Sequence, residues 1–173
     1  RYVGSPLAFR EAYAWDGVQL AGAYGATDAR VWEAAWGGGV DNLVSVTTPT
    51  TEWLPLTDFR NDVVGLYDSA NNVLGHSARY TPEGRVTTTA YAPAATCAEV
   101  NEGRCASPGG QPFGYQSAWK SDVSGLVYLR NRWYSPELGE FLSQDPAGFA
   151  DSYSLYAYVG FDPVNGSDPF GLA

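Results

Sequence analysis

Along most of this chain apolar and polar positions alternate with period two, in short runs separated by turn residues, the pattern of half-buried β-strands. Residues 13–15, 18–24 and 31–36 form the first such runs, with Asp16-Gly17 as a tight hairpin turn and three glycines at 37–39 closing the unit. Ala and Glu over 28–36 would also suit a helix, but the tryptophans there favour a pleated sheet. Residues 43–56 are rich in Val and Thr and read as strand broken at Pro49 and at Pro55, because proline cannot donate to a ladder. A strong hairpin signature follows: 63–68, the turn 69–72, then 73–76. Residues 78–86 repeat it around Pro82-Glu83-Gly84. The stretch 92–112 collects Ala, Pro, Gly and both cysteines and reads as an exposed loop inserted between strands.

The stretch 125–172 organises the rest. It reads as short strands punctuated by matching turns. Asp145-Pro146-Ala147-Gly148 and Asp168-Pro169-Phe170-Gly171 each carry Asp, Pro and Gly at the first, second and fourth positions of a type I turn. Asp162-Pro163-Val164-Asn165 is a third copy closed by Asn. Alternation along 126–134 places Tyr128, Arg130, Arg132 and Tyr134 on one face and Val127, Leu129 and Trp133 on the other, so both arginines are expected to reach one polar site. Hairpin units recur at 13–24, 65–77, 78–91 and 126–143. Irregular repetition of one unit means a repeat architecture in which each unit buries its face against its neighbours.

Composition narrows the function. Lys+Arg total 10 against 19 Asp+Glu, giving a net charge of −9 with a single lysine. Such a chain is a poor partner for phosphate backbones, which argues against nucleic-acid binding. No apolar run approaches the roughly 18 residues of a membrane helix. The chain opens at Arg1 in what reads as mid-domain sequence, so more chain is expected upstream. Cys97 and Cys105 either pair in an oxidising compartment or stand as two free thiols. Metal is disfavoured, since His76 is the only histidine and no C-x-x-C spacing exists. No cofactor is expected.

Tyr80-Thr-Pro-Glu-Gly-Arg85 and Tyr134-Ser-Pro-Glu-Leu-Gly139 resemble the tyrosine/aspartate (YD) repeats of Rhs proteins. Residues 125–172, with two D-P-x-G turns around Leu155-Tyr156-Ala157-Tyr158 and Pro163-Val164-Asn165, resemble the Rhs-associated core domain that ends those repeats. That family is similar to the C component of Tc toxins. The resemblance is strongest over 113–172, extends over 52–91 and fades before 45. It implies an all-β fold, a YD-repeat antiparallel sheet spiralling into a shell that ends in an inward-turning core or plug. The division it implies is 1–91 shell segment, 92–112 loop insertion and 113–173 core with a self-cleavage site.

The resemblance further implies that the core cuts the chain just after D-P-x-G-L, at Leu172–Ala173, by chemistry like that of aspartic proteases. Carried over by position, the catalytic residues are Asp145 and Asp168 with Arg132. The expected partners are an upstream shell of the same polypeptide, a C-terminal toxin cargo and a secretion-system spike or cell-surface anchor, in a secreted or secretion-system-delivered protein. The chemistry is coherent from first principles. Two carboxylates held close share a proton, so one serves as acid and the other as base to a water nucleophile. The chain departs from the family where Glu140 stands in place of the usual arginine of Gly-Arg-Phe. Were that arginine needed to position the pair, cleavage would be impaired. The rival reading follows from this departure: a non-catalytic shell or cell-surface interaction module, in which the same aspartates only cap their turns.

Overall fold

The structure, a computed structural model, describes residues 12–25, 28–91, 112–121, 124–150 and 152–173, with the backbone alone at 88–91. Cys97, Cys105 and all but the last residue of the loop expected at 92–112 lie outside the described residues, as do residues 1–11.

Eight strands form one antiparallel sheet in up-and-down order: β1 (Ala12–Asp16), β2 (Gln19–Tyr24), β3 (Arg30–Trp36), β4 (Leu43–Thr47), β5 (Glu52–Thr57), β6 (Val63–Asp68), β7 (Val73–Tyr80) and β8 (Val86–Tyr91). The fold is all-β, and the segment 30–36, where helix competed, is a strand. Asp16 pairs with Gln19, so the first turn is Gly17-Val18, one residue later than the pattern suggests, with Gly17 at φ +59°. Pro49 does interrupt the chain between β4 and β5. Pro55 does not: it pairs opposite Leu66 within β5. The reason is register. β4 pairs with β5 only at Val46↔Trp53 and Thr47↔Glu52, so at Pro55 no neighbouring strand on that side asks for an N–H. Register shifts interrupt the β1–β2, β2–β3, β3–β4, β5–β6, β6–β7 and β7–β8 ladders, and each such irregularity adds local twist and bends the sheet.

A second sheet of four strands, in the order β12-β11-β10-β9, contains β9 (Trp119–Lys120), β10 (Val127–Leu129), β11 (Arg132–Ser135) and β12 (Glu140–Phe141). Here the expected single strand over 126–134 is corrected. Leu129 pairs with Arg132, so Arg130-Asn131 is a hairpin turn, with Arg130 at φ +61°. The turn breaks the period-two count. Val127, Leu129, Arg132 and Tyr134 therefore share the buried face, while Tyr128 and Trp133 share the other. Beyond Phe141 the expected run of strands gives way to turns, apart from a bridge between Glu140 and Ala157. Three Asp-Pro turns in this stretch leave few free donors for a ladder.

The two sheets are joined by the segment 112–121. Phe113 packs edge-on against Trp32 (5.1 Å between centroids) and Trp36 (5.3 Å) in the core of the large sheet. Two residues later Tyr115 enters the second core with Tyr134, Phe141, Tyr158, Val127 and Leu129. Buried Asp62 fastens this joint: its Oδ1 accepts from the Gln116 N–H (2.8 Å) and its Oδ2 from Arg60 Nη2 (2.5 Å). Ser117 Oγ donates to the Asn61 carbonyl at 2.9 Å, and the Val63 N–H to that of Gly114 at 2.9 Å.

Two outcomes are expected. A Cβ at Gly84 would lie 2.6 Å from the Tyr115 ring, at a φ of +88° that side chains rarely adopt. Gly84→Ala should therefore destabilise by about 2–4 kcal/mol, combining a left-handed backbone penalty with overpacking, read as a lowered Tm. Burial raises the Asp62 carboxyl from 3.8 to about 6. The folded state thus holds this proton more tightly than the unfolded chain. The stabilising contribution is fully present below about pH 4 and is lost as pH rises through about 6. Asp62→Asn should flatten that part of the stability-versus-pH curve, measured by urea denaturation at pH 4, 5, 6 and 7.

Candidate functional site: a buried arginine between two aspartates

The site begins with β11. Because the Arg130-Asn131 turn sets the register, Arg132 points inward beside Tyr134 and Phe141 and is only 2% exposed. A guanidinium cannot lose its charge in a protein, so it must find partners there. Its face lies over the Phe141 ring, 3.5 Å from the centroid. Its Nη2 meets Asp145 Oδ2 at 2.9 Å and Asp168 Oδ2 at 3.4 Å. Its Nε donates to the Gly171 carbonyl (2.6 Å), Nη1 to that of Leu155 (3.4 Å), and Nη2 also to that of Ala173 (3.3 Å). The three residues suggested by position, separated widely in sequence, thus meet around one nitrogen.

The two outer turns are locally alike and do different things. In each, the glycine N–H donates to the aspartate carbonyl, Gly148 to Asp145 at 3.1 Å and Gly171 to Asp168 at 3.3 Å. Asp145 Oδ1 accepts from the Ala147 N–H within its own turn (2.7 Å), leaving Oδ2 to Arg132. Asp168 instead reaches past its turn: Oδ1 accepts from the Leu172 N–H (3.0 Å) and Oδ2 from the Ala173 N–H (2.7 Å). The bond between Leu172 and Ala173 is therefore straddled by one buried carboxylate. Asp162 only closes its own exposed turn, its two oxygens accepting from Asn165 Nδ2 at 3.0 and 2.9 Å and Oδ1 also from the Asn165 N–H at 3.3 Å.

Arg132 alters the electrostatics expected of two adjacent carboxylates. With a fixed positive charge on both, their mutual repulsion is offset, and a shared proton is no longer the only means of holding them together. Tyr158, buried beside Asp168, has its hydroxyl pushed up to about 12, chiefly by desolvation, so it stays neutral. Glu140 faces away. Phe141 pairs opposite Tyr134 on the guanidinium side, and alternation turns Glu140 with Ser135 to the other face. The departure from the family pattern thus does not place its side chain among the carboxylates.

Arg130 and Arg132 do not converge on one polar site, because the turn sends them to opposite sides. Arg130 pairs with Asp41, Nη2 to Oδ1 at 2.6 Å and Nη1 to Oδ2 at 3.1 Å, and also donates to the Pro169 carbonyl. Asp41 carried no signal in the sequence beyond following a glycine run. Phe141, too, reads only as a core aromatic until the guanidinium is seen above it.

Removing the Arg132 charge while keeping its bulk should be costly. Arg132→Met would leave two carboxylates uncompensated in a largely buried pocket, an expected loss of about 3–5 kcal/mol in the midpoint analysis of a urea titration. Adding Asp145→Asn and Asp168→Asn to that variant should recover part of the loss.

No family model matches the chain. It is 43% identical over 65 residues to the toxin protein Tse5 of Pseudomonas aeruginosa, covering 38% of this chain and 5% of that one. It is 31% identical over 118 residues to double-stranded DNA deaminase toxin A of Burkholderia cenocepacia, covering 66% of this chain and 7% of that one. Among solved structures, the Tc holotoxin pore of Photorhabdus luminescens with a mutated TccC3 superposes with a TM-score of 0.68 at 18% identity, over 95% of this chain and 8% of that one. The last likeness is one of fold. The chain spans from 5% to 26% of the first curated relatives it matches.

Proposed function

We propose that this chain, an Rhs/Tc-like region of a polymorphic toxin, forms the end of a β-shell around a C-terminal toxin and frees that cargo by cutting its own backbone after Leu172. The observation that carries the reading is the Asp168 carboxylate, which binds the N–H groups on both sides of Leu172 while sharing Arg132 Nη2 with Asp145. Asp145, whose two oxygens each have one partner, Ala147 N–H and Arg132, keeps acceptor capacity to take a proton from a water attacking the Leu172 carbonyl carbon. Asp168, 2.7 Å from the Ala173 nitrogen, takes up the proton that Asp145 removed from the water and passes it to the leaving amine as the C–N bond breaks, so that both carboxylates end as they began. One water is consumed, and a carboxylic acid and an amine are produced. Arg132 orients both carboxylates and offsets charge as it develops. No Ser, Cys or His nucleophile is required. Tethering the scissile bond four residues from Asp168 replaces an encounter with an effective concentration of order 10⁵ M or more.

The remaining partners follow from this reading: an upstream shell, and a secretion-system spike or surface anchor for delivery outside the producing cell. A second reading has one observation in its favour. Both Asp168 oxygens already accept backbone N–H groups, which is what a purely structural turn cap does. In that case the region is a silent shell wall.

The two readings separate in one experiment. The chain is expressed with its native downstream extension and its fragments are weighed by mass spectrometry. Self-cleavage gives a break after Leu172, abolished in Asp145→Asn and in Asp168→Asn. Continued cutting at that bond in either variant would refute the assignment, and an intact wild-type chain would favour the silent wall. Acid hydrolysis of the Asp-Pro bonds is distinguishable because it cuts between Asp and Pro.

A further inference from the structure

The tail around Asp168 is held from one side by Arg132, but its other side is held by the tip of the same hairpin. Asn131 Nδ2 donates to the Phe170 carbonyl at 2.9 Å, and its backbone N–H donates to the same oxygen at 3.3 Å. Arg130 donates to the Pro169 carbonyl and stacks over the Phe170 ring at 5.3 Å. From there it reaches the large sheet: the paired contact with Asp41 in the β3–β4 turn, and Nε to the Val18 carbonyl in the β1–β2 turn at 2.8 Å. Asp41 is 6% exposed, and its own carbonyl accepts from Asn61 Nδ2, next to the Asp62 joint. Arg130 therefore connects two turns of the wall, one through the bidentate pair with Asp41 and one through the Val18 carbonyl, to the turn that carries Asp168.

The backbone says the same. Arg130 occupies the left-handed region at φ +61°, in a two-residue hairpin turn where glycine would be unstrained. Arginine there costs about 1–2 kcal/mol in local conformation. A strained residue at the tip of a hairpin persists when its side chain is held elsewhere, and here the side chain has four contacts to hold it. Asp41, its partner, is itself left-handed at φ +58°.

We propose that Arg130 and Asp41 are positioning residues, a latch that seats the Asp168 turn against Arg132 only when the eight-stranded sheet has folded, so that cutting is conditional on a completed wall. The latch deepens the self-cleavage reading and rests on it. Without the wall, the β10–β11 hairpin still presents Arg132. Pro169 and Phe170 lose their anchor, and the Leu172–Ala173 bond is no longer held across Asp168.

The test uses the chain with its downstream extension and follows the rate of the break after Leu172. Arg130→Gly relaxes the turn yet removes the latch, so it should fold and cut about 10–100-fold more slowly, the scale of loss for an ångström-sized misplacement. Asp41→Asn should slow cutting similarly, and Arg130→Lys, which keeps the charge but loses the fork, should fall between wild type and Arg130→Gly. Gly75→Ala, whose Cβ would run into the Trp53 ring within the large sheet, is destabilised away from the tail and should cut at the wild-type rate well below its Tm. Wild-type rates in Arg130→Gly and Asp41→Asn would overturn the latch, as would equal slowing in Gly75→Ala. If the wild-type chain does not cut at all, the self-cleavage reading fails separately. Hydrogen exchange at the Leu172 and Ala173 amides then decides: faster exchange in Asp41→Asn keeps the latch as a clamp on the tail, and unchanged exchange removes it.

Discussion

A guanidinium that is almost wholly out of water, with a ring on one face and carboxylates on its edge, has no tolerable arrangement except the one in which all its partners arrive together. Arg132 comes from a strand, Asp145 from a turn after that sheet has ended, and Asp168 from the tail. Each would be a buried, uncompensated charge without the others, and a desolvated ion left alone costs several kcal/mol. The trio therefore fixes the path of 142–150 and 152–173, stretches that have little ladder of their own. It also explains how a region of turns can hold a defined shape next to the sheet.

Around that trio the molecule is aromatic rather than aliphatic. Tyr115, Tyr134, Phe141 and Tyr158 form one cluster, with centroids of Tyr134 and Tyr158 only 4.4 Å apart. Burial holds the Tyr115, Tyr134 and Tyr158 hydroxyls well above or at the top of their ordinary range, so none competes for the proton chemistry of the carboxylates. The hydroxyls are spent on structure instead: Tyr134 donates to the Glu83 carbonyl and Tyr115 to that of Pro82, each at 2.8 Å. Those contacts join the β7–β8 turn of the wall to the second sheet. The wall and the tail are thus one mechanical unit, tied at Pro82 and Glu83, at Asp62, and at Asp41.

Three copies of one turn motif illustrate how local chemistry and tertiary context divide the work. Asp145, Asp162 and Asp168 each precede proline, and each closes a turn through its own carbonyl. Their side chains differ only in what surrounds them. Asp162 is in solvent and meets Asn165. Asp145 caps Ala147 and lends its other oxygen to Arg132. Asp168 is buried and spans two amides further along. Turn propensity is a property of four residues, whereas the use of the carboxylate depends on which surface is brought over it.

The alternation of apolar and polar residues, the Asp-Pro and Pro-Glu-Gly turns, and the absence of long helical periods were enough to determine an all-β chain of hairpins, because strand pairing and turn chemistry are local and of short period. The resemblance carried by the two D-P-x-G turns was also enough to nominate Asp145, Asp168 and Arg132, which turn chemistry alone would have left as two caps and a strand residue. What only the tertiary structure decided was register and direction. A two-residue turn at Arg130-Asn131, invisible in an unbroken alternation, separated the two arginines and sent one to the carboxylates and the other to Asp41. Pro55 sits comfortably inside a strand because its neighbour stops short. Asp41 had no signal of its own, since its importance comes from a partner 89 positions away, and no local pattern encodes where such distant segments meet.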